Sequence, residues 1–178
     1  MKRISILSNV FLFLVILLSP GSNSAMNRYA VDYGVHANII YRFTKYVDWP
    51  DYKKTSDFVI GVIGEPQLVE ELVAVTKNKK VGNQSIVVRS MPADASGYPC
   101  HMLFVGENQS SDLKHIVDVT RGKPILIISE NNGLVKRGSC INFVIVGESL
   151  KLEFGIKNIE TRDMKIASEL LELGTIVR

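Results

Sequence analysis

Residues 58–75, FVIGVIGEPQLVEELVAV, contain a predicted strand, turn and helix in immediate succession. The run Phe58–Ile63 is apolar and rich in β-branched residues, which is typical of a buried strand. Gly64-Glu65-Pro66 then interrupts the run, and Pro is a normal residue in the first turn of a helix. From Leu68 to Val75 the apolar residues recur at helical spacing. The segment therefore predicts one β-α unit of an α/β protein.

Further strands and helices alternate along the rest of the chain. Short apolar runs predict strands at residues 85–89, 101–105, 124–129, 140–146 and 150–156. A first helix is predicted over residues 35–47, where one stripe holds Val35, Ile39, Phe43 and Val47. A short helix is predicted after a cap at Ser110 or Ser111. A last helix is predicted from a cap at Thr161 onward, with these residues facing inward: Met164, Ala167, Leu170, Leu171 and Leu173. The first four strands are continuous apolar runs, as in strands covered on both faces, whereas the last alternates and follows a tight polar turn. We therefore predict a single-domain α/β sandwich with a mainly parallel sheet, helices on both faces and an antiparallel C-terminal edge hairpin.

The N-terminus has the three parts of a secretory signal peptide. Lys2 and Arg3 form a positive start, residues 4–18 are mostly apolar, and Pro20 and Gly21 precede a run of small residues. An uncleaved membrane anchor needs roughly 18 apolar residues or more, so we favour cleavage near residue 24 or 25. This predicts that residues 1–25 are a signal peptide, that residues 26–178 form one mature domain, and that the protein is exported to the periplasm.

The predicted mature chain is nearly neutral. The sequence has 21 Lys and Arg residues and 18 Asp and Glu residues, and Lys2 and Arg3 belong to the predicted signal peptide, so the mature net charge is 19 − 18 = +1. A balanced charge without a basic run does not support a nucleic-acid partner.

Cys100 and Cys140 are the two cysteines of the chain. In an oxidising compartment an even pair favours a disulfide. Each cysteine begins its own predicted strand, however, and those strands need not be neighbours. Two alternatives therefore stay open, a Cys100–Cys140 disulfide or two buried, inert thiols. Neither cysteine belongs to a CxxC motif, so an oxidoreductase role has little support.

No pattern of a catalytic, cofactor or metal site stands out. The three histidines have no partners at metal-ligand spacing, and the motifs G-x-S-x-G and S-x-x-K are absent. The turn at residues 61–64 lacks the third glycine of the dinucleotide fingerprint and the lysine of a P-loop. We therefore predict a binding protein without catalytic residues, cofactor or metal, and not an enzyme.

An aromatic block, YRFTKYVDWP, occupies residues 41–50 and ends with the single Trp of the chain and a Pro. Because a residue before Pro is biased away from helical geometry, the block ends the first helix. Two interpretations of Trp49 stay open. Either Trp49 packs on the sheet edge, or Tyr46, Trp49 and Tyr52 are exposed and form a partner-binding surface, since Trp and Tyr often dominate interfaces.

Taken in order, these segments resemble the YfiR-like family of small exported α/β proteins. The aromatic block follows the family's pattern of an aromatic, Tyr-Val, an acidic residue and Trp-Pro. Further matching segments are residues 100–105, 125–129 with Gly133, 138–143, 152–158 and 164–177. Their order and spacing cover nearly the whole predicted mature domain.

The resemblance implies a function and partners. YfiR-like proteins repress an inner-membrane diguanylate cyclase by binding its periplasmic sensor region, which controls cyclic-di-GMP signalling and biofilm formation. An outer-membrane OmpA-like lipoprotein relieves the repression by sequestering the repressor. The alternative is a periplasmic ligand-sensing or solute-binding module for a histidine kinase or a transport system, with its ligand at the carboxyl ends of the parallel strands. The half-exposed last strand also offers an edge at which a homodimer could form.

Overall fold

Ten strands and five α-helices alternate along residues 31–178, the part of the chain that the computed structural model describes. The strands are β1 (Val47–Asp48), β2 (Phe58–Ile63), β3 (Lys80–Val81), β4 (Gln84–Ser90), β5 (Met102–Val105), β6 (Leu126–Glu130), β7 (Ile141–Val146), β8 (Ser149–Phe154), β9 (Lys165–Ile166) and β10 (Thr175–Ile176). The α-helices are α1 (Tyr33–Tyr46), α2 (Pro66–Thr76), α3 (Leu113–Val119), α4 (Ile156–Glu160) and α5 (Ser168–Leu171), and short 3₁₀ helices cover Asp51–Lys53, Glu107–Asp112 and Val135–Arg137. The predicted signal peptide at residues 1–25 lies outside the described residues. No helix within residues 31–178 is long and apolar enough to cross a bilayer.

Eight of these strands form one mixed sheet in the order β10-β8-β7-β6-β5-β2-β4-β3. The five strands from β4 to β7 in this order run parallel, and β8 returns antiparallel to β7. Along the sheet, the chain passes from β2 to β4 in one direction and from β5 to β6 in the opposite direction. Right-handed crossovers therefore place α2 and α3 on opposite faces of the sheet. The predicted α/β fold, with a mainly parallel sheet and an antiparallel C-terminal hairpin, is confirmed.

The central strands form the core of the fold. Every residue of β2, β5 and β6 is buried, as expected for strands covered on both faces. β4 differs, because most of its residues are partly or fully exposed. It lies next to the edge of the sheet, where only the two-residue strand β3 flanks it. The expectation that residues 85–89 are covered on both faces is therefore wrong.

The buried face of the first helix matches the predicted one only in part. The Asp32 side chain caps α1 by accepting the Val35 N–H at 3.1 Å, and the helix ends at Tyr46. Its buried residues are His36, Ala37, Ile40 and Phe43. Val35 is 45% exposed. Steps of four residues drift around a helix that turns every 3.6 residues. The predicted stripe therefore lies off the buried face at Val35 but on it at Phe43, and Val47 is buried in β1.

The predicted last helix is replaced by short elements. α4 ends before Asp163, whose φ of 57° is left-handed. Residues 165–166 then pair with β1 as β9, and the Ala167 N–H donates to the Tyr46 carbonyl at 2.8 Å. Because these backbone groups bond to the end of α1, they cannot bond within a helix. The prediction of a single last helix from Thr161 is therefore wrong, and α5 covers only four residues.

The predicted edge hairpin is partly covered. β10 pairs in parallel with Glu153 and Phe154 at the carboxyl end of β8. The sheet edge beside Ser149–Leu152 has no strand partner among the described residues. Homodimerisation at this edge stays a prediction.

Candidate functional site

A groove of about 680 Å³ lies at the amino ends of the parallel strands, beside the end of α1. Residues 44–49, 81–84 and 165–167 line it, together with Lys54 and Phe58. The groove exists because α1 stops at Tyr46 and the chain continues as β1, which pairs with β9. This ribbon forms one wall, and the β3–β4 turn forms another.

Trp49 supports the floor of the groove and is not part of an exposed surface. Its side chain is buried, at 4% exposure. The indole N–H donates to the His101 carbonyl at 3.2 Å, and the ring meets Phe58 edge-on at a centroid distance of 4.9 Å. The interpretation that Trp49 is exposed for partner contact is therefore wrong, and its packing against the sheet is what the structure shows. Tyr46 is half-buried in the groove wall, while Tyr52 is 64% exposed and does not line the groove.

His101 fixes the loop beneath Trp49 in a defined tautomer. The Val59 N–H donates to His101 Nδ1 at 3.1 Å, so this nitrogen carries no proton. His101 Nε2 therefore holds the proton and donates it to the Lys53 carbonyl at 2.8 Å. Burial lowers the pKa of His101, which keeps the ring neutral. The ring also stacks on Phe58 at 4.5 Å, so the histidine has a structural role.

The rim of the groove is basic. Lys54 is bound to Asp48 at 2.9 Å and to Asp51 at 3.0 Å. Asp48 is the one acidic residue in the lining. Lys45 and Lys165 are exposed on the rim, and neither forms an ion pair within residues 31–178. The groove therefore combines an apolar floor with two cations, Lys45 and Lys165, that form no ion pair within the described residues.

Cys100 and Cys140 are both buried free thiols. They lie just before β5 and β7, respectively, and β6 separates these strands in the sheet. Strands two positions apart are about 10 Å apart, which exceeds the Cα separation of up to about 7 Å that a disulfide can span. Burial raises the pKa of Cys100 to about 12 and also raises that of Cys140. The structure thus shows the second of the two alternatives, a pair of buried, inert thiols, and not a Cys100–Cys140 disulfide.

A polar cluster at the opposite, carboxyl ends of the strands was not predicted. Glu130 ends β6 with its side chain 9% exposed. It accepts hydrogen bonds from the Tyr33 hydroxyl and from the Glu107 N–H, both at 3.1 Å, and His36 Nε2 lies 3.7 Å away. Burial raises the pKa of Glu130 to about 7, so this carboxyl is about half ionised near that pH. Burial lowers the pKa of His36, so the nearby imidazole is largely neutral there. The sequence signal that could have indicated this cluster is that Glu130 directly follows the predicted strand at residues 124–129.

The cluster ties the first helix to the sheet. Tyr33 and His36 come from the first turn of α1, Glu130 from β6, and Glu65 from the turn after β2. Burial and the neighbouring carboxylates raise the pKa of the Tyr33 hydroxyl, so it remains a donor. Within residues 31–178, no group of three or more His, Cys, Asp or Glu side chains could hold a metal ion.

Comparison with known protein families matches residues 33–175, from the first residue of α1 into β10, to the YfiR/HmsC-like family. The chain belongs to the YfiR/HmsC-like family. No curated protein matches the chain. The predicted family resemblance is confirmed, and it extends over both the groove and the Glu130 cluster. The YfiR/HmsC-like family is a regulatory one associated with the control of diguanylate cyclases, which favours a binding protein over an enzyme.

The family motifs have structural roles around the groove and the sheet. The aromatic block supplies the C-terminal turn of α1, β1 and the groove floor. Asn142, in the matching segment at residues 138–143, bonds to the Asn131 carbonyl at 2.7 Å and to Glu153 at 2.9 Å across β7 and β8. Asn158 donates to the carbonyls of Val135 and Ser139, both at 2.8 Å. These contacts explain the motifs through packing and hydrogen bonding.

Proposed function

We propose that this chain is a periplasmic regulator that represses an inner-membrane diguanylate cyclase by binding the cyclase's periplasmic sensor region. Membership of the YfiR/HmsC-like family over residues 33–175 carries the proposal. The signal-peptide pattern at residues 1–25 supports export, because it has the charged, apolar and small-residue parts in order.

Repression requires a difference in affinity between two states of the cyclase. The regulator must bind the inactive sensor better than the active one, because a ligand shifts an equilibrium only by its differential affinity. An outer-membrane OmpA-like lipoprotein would relieve repression by competing for the regulator. The groove supports this role, since a fixed Trp49–Phe58 floor and an exposed rim are suited to contact with another chain.

Deletion of the gene tests the proposal directly. In a strain that encodes the partner cyclase, deletion should raise cellular cyclic-di-GMP and biofilm, and re-expression of the exported chain should restore both. Expression of residues 26–178 without the export signal should not restore them, because the regulator would be in the wrong compartment. Unchanged cyclic-di-GMP after deletion would contradict the proposal.

A second candidate is a periplasmic ligand-sensing or solute-binding module for a histidine kinase or a transport system. The groove volume of about 680 Å³ favours it, since small-molecule sites typically measure about 300–1,000 Å³. The groove lies at the amino ends of the strands, however, whereas ligands of open α/β sheets usually bind at the carboxyl ends. A saturable rise in the thermal unfolding midpoint with a small molecule, in the absence of any cyclase, would favour this candidate.

A further inference from the structure

A second basic surface adjoins the groove on the other side of β3. This hollow measures about 690 Å³ and is lined by residues 76–80 and by neighbouring side chains of α2 and β4. Its lining includes Lys77, Lys79 and Lys80 but no Asp or Glu. Together with Lys45 on the groove rim, these side chains form what we call the lysine face.

Tyr41 brings two of these lysines close together. Lys79 Nζ lies 4.2 Å from the centre of the Tyr41 ring, and Lys45 Nζ lies 5.7 Å from it. The two ammonium groups are therefore within about one Debye length of each other at moderate salt, where like charges still repel. The cation–π contacts offset part of that repulsion. No ion pair within residues 31–178 neutralises either lysine, so an anionic partner would add an attraction that the chain itself does not supply.

β3 provides an open strand edge between the two hollows. It is the terminal strand of the sheet and pairs with β4 alone. An open edge can accept an extended segment of another chain through main-chain hydrogen bonds. The positive charge of Lys80 on this edge repels a basic segment and attracts an acidic one.

We propose that the lysine face and the groove bind an extended, acidic segment of a partner protein, which places an apolar side chain over the Trp49–Phe58 floor. The proposal rests on the proposed function only for the identity of the partner, the sensor region of the cyclase. An anionic membrane surface would meet the same charges. A concave groove with an aromatic floor suits a polypeptide segment better than a broad bilayer surface.

The test uses defined probes and charge-reversed variants of the mature chain. One probe is a fluorescent synthetic peptide rich in Glu and Asp with a central Phe, and its control carries Gln and Asn instead. A second probe is a phosphatidylcholine vesicle containing phosphatidylglycerol. The variants are Lys45→Glu and Lys79→Glu, with Lys151→Glu as the matched control, because Lys151 is an exposed lysine on β8 near the opposite sheet edge. Thermal unfolding establishes that each variant folds.

Four outcomes decide the proposal. Saturable binding of the acidic peptide that weakens about tenfold in Lys45→Glu and Lys79→Glu, weakens with salt, and is unchanged in Lys151→Glu supports it. Binding that is independent of these lysines overturns it. Binding to vesicles without binding to the peptide, or binding to neither probe, overturns it as well. The deletion assay reports on the proposed function separately: raised cyclic-di-GMP with no peptide binding contradicts the lysine face alone, and peptide binding with unchanged cyclic-di-GMP contradicts repression alone.

Discussion

Glu130→Gln should change how the stability of the protein depends on pH. Burial raises the pKa of Glu130 from an ordinary value of 4.5 to about 7 in the folded protein, so the folded state holds this proton more tightly than the unfolded state. The resulting stabilisation is fully present below pH 4.5 and is lost as the pH rises through about 7. The difference amounts to about 3 kcal/mol, at 1.36 kcal/mol for each tenfold change in proton affinity.

Glutamine keeps the hydrogen bonds of the cluster without the titration. Its side-chain oxygen can accept from the Tyr33 hydroxyl and the Glu107 N–H, as the Glu130 carboxyl does. The neighbouring groups that titrate or carry charge are Tyr33, His36, Glu65 and Glu107. Burial lowers the pKa of His36, so its contribution is present above pH 6.5 and lost as the pH falls. To first order, that contribution is common to the wild type and the variant and cancels in their difference.

Urea denaturation between about pH 4 and pH 8 measures this difference. Relative to the wild type, the variant should gain about 3 kcal/mol of unfolding free energy across that interval. Glu169→Gln is the control, because Glu169 is exposed on α5 and should show no such gain. A constant difference between Glu130→Gln and the wild type would refute the reasoning, as would a carboxyl resonance of Glu130 that titrates near its ordinary pKa.

Two further predictions follow from the buried aromatic and sulfur groups. Trp49→Ala should lower the unfolding free energy by about 3–5 kcal/mol in chemical denaturation, because the substitution leaves a cavity in a packed site. Tyr52→Ala, at an exposed position, should change the unfolding free energy by less than about 0.5 kcal/mol. Equal effects of the two substitutions would contradict the assigned burial. Cys100 and Cys140 should both react with a thiol reagent only after unfolding, and a reductant should leave the unfolding midpoint unchanged. A mass that corresponds to a Cys100–Cys140 disulfide in protein recovered from the periplasm would contradict the two free thiols.

The central sheet could be predicted because its sequence signal is local. The run Phe58–Ile63 is buried at every position, and its turn and helix follow where Gly64 and Pro66 indicate. The C-terminal region could not, because its apolar spacing also fits a helix. Its actual conformation depends on a bond from the Ala167 N–H to the Tyr46 carbonyl, more than a hundred residues away in the chain. The intrinsic helix propensity of a segment predicts its conformation poorly where long-range backbone pairing of this kind competes with the helix.

The candidate site was predictable only in part, for the same reason. Tyr46 and Trp49 line the groove as neighbours in sequence, so the aromatic block indicated the region. Lys165 reaches the groove rim from β9, and no local pattern connects it with Lys45. Lys79, on the connection from α2 to β3, shares the Tyr41 ring with Lys45, and no local pattern connects these two lysines either. Glu130 could have been singled out, since it is an acidic residue directly after the predicted apolar strand at residues 124–129, at a strand's carboxyl end.

The position of Trp49 also separates two roles that the aromatic block first suggested together. A side chain at 4% exposure, with its N–H bonded to His101 and its ring against Phe58, has little surface left for a partner. In the proposed binding its contribution is therefore indirect, because it sets the depth and shape of the groove. The proposal assigns the affinity instead to groups that reach the rim, above all Lys45 and the half-buried Tyr46. It follows that Trp49 variants should lose stability and binding together, whereas Lys45→Glu should weaken binding while the fold stays intact.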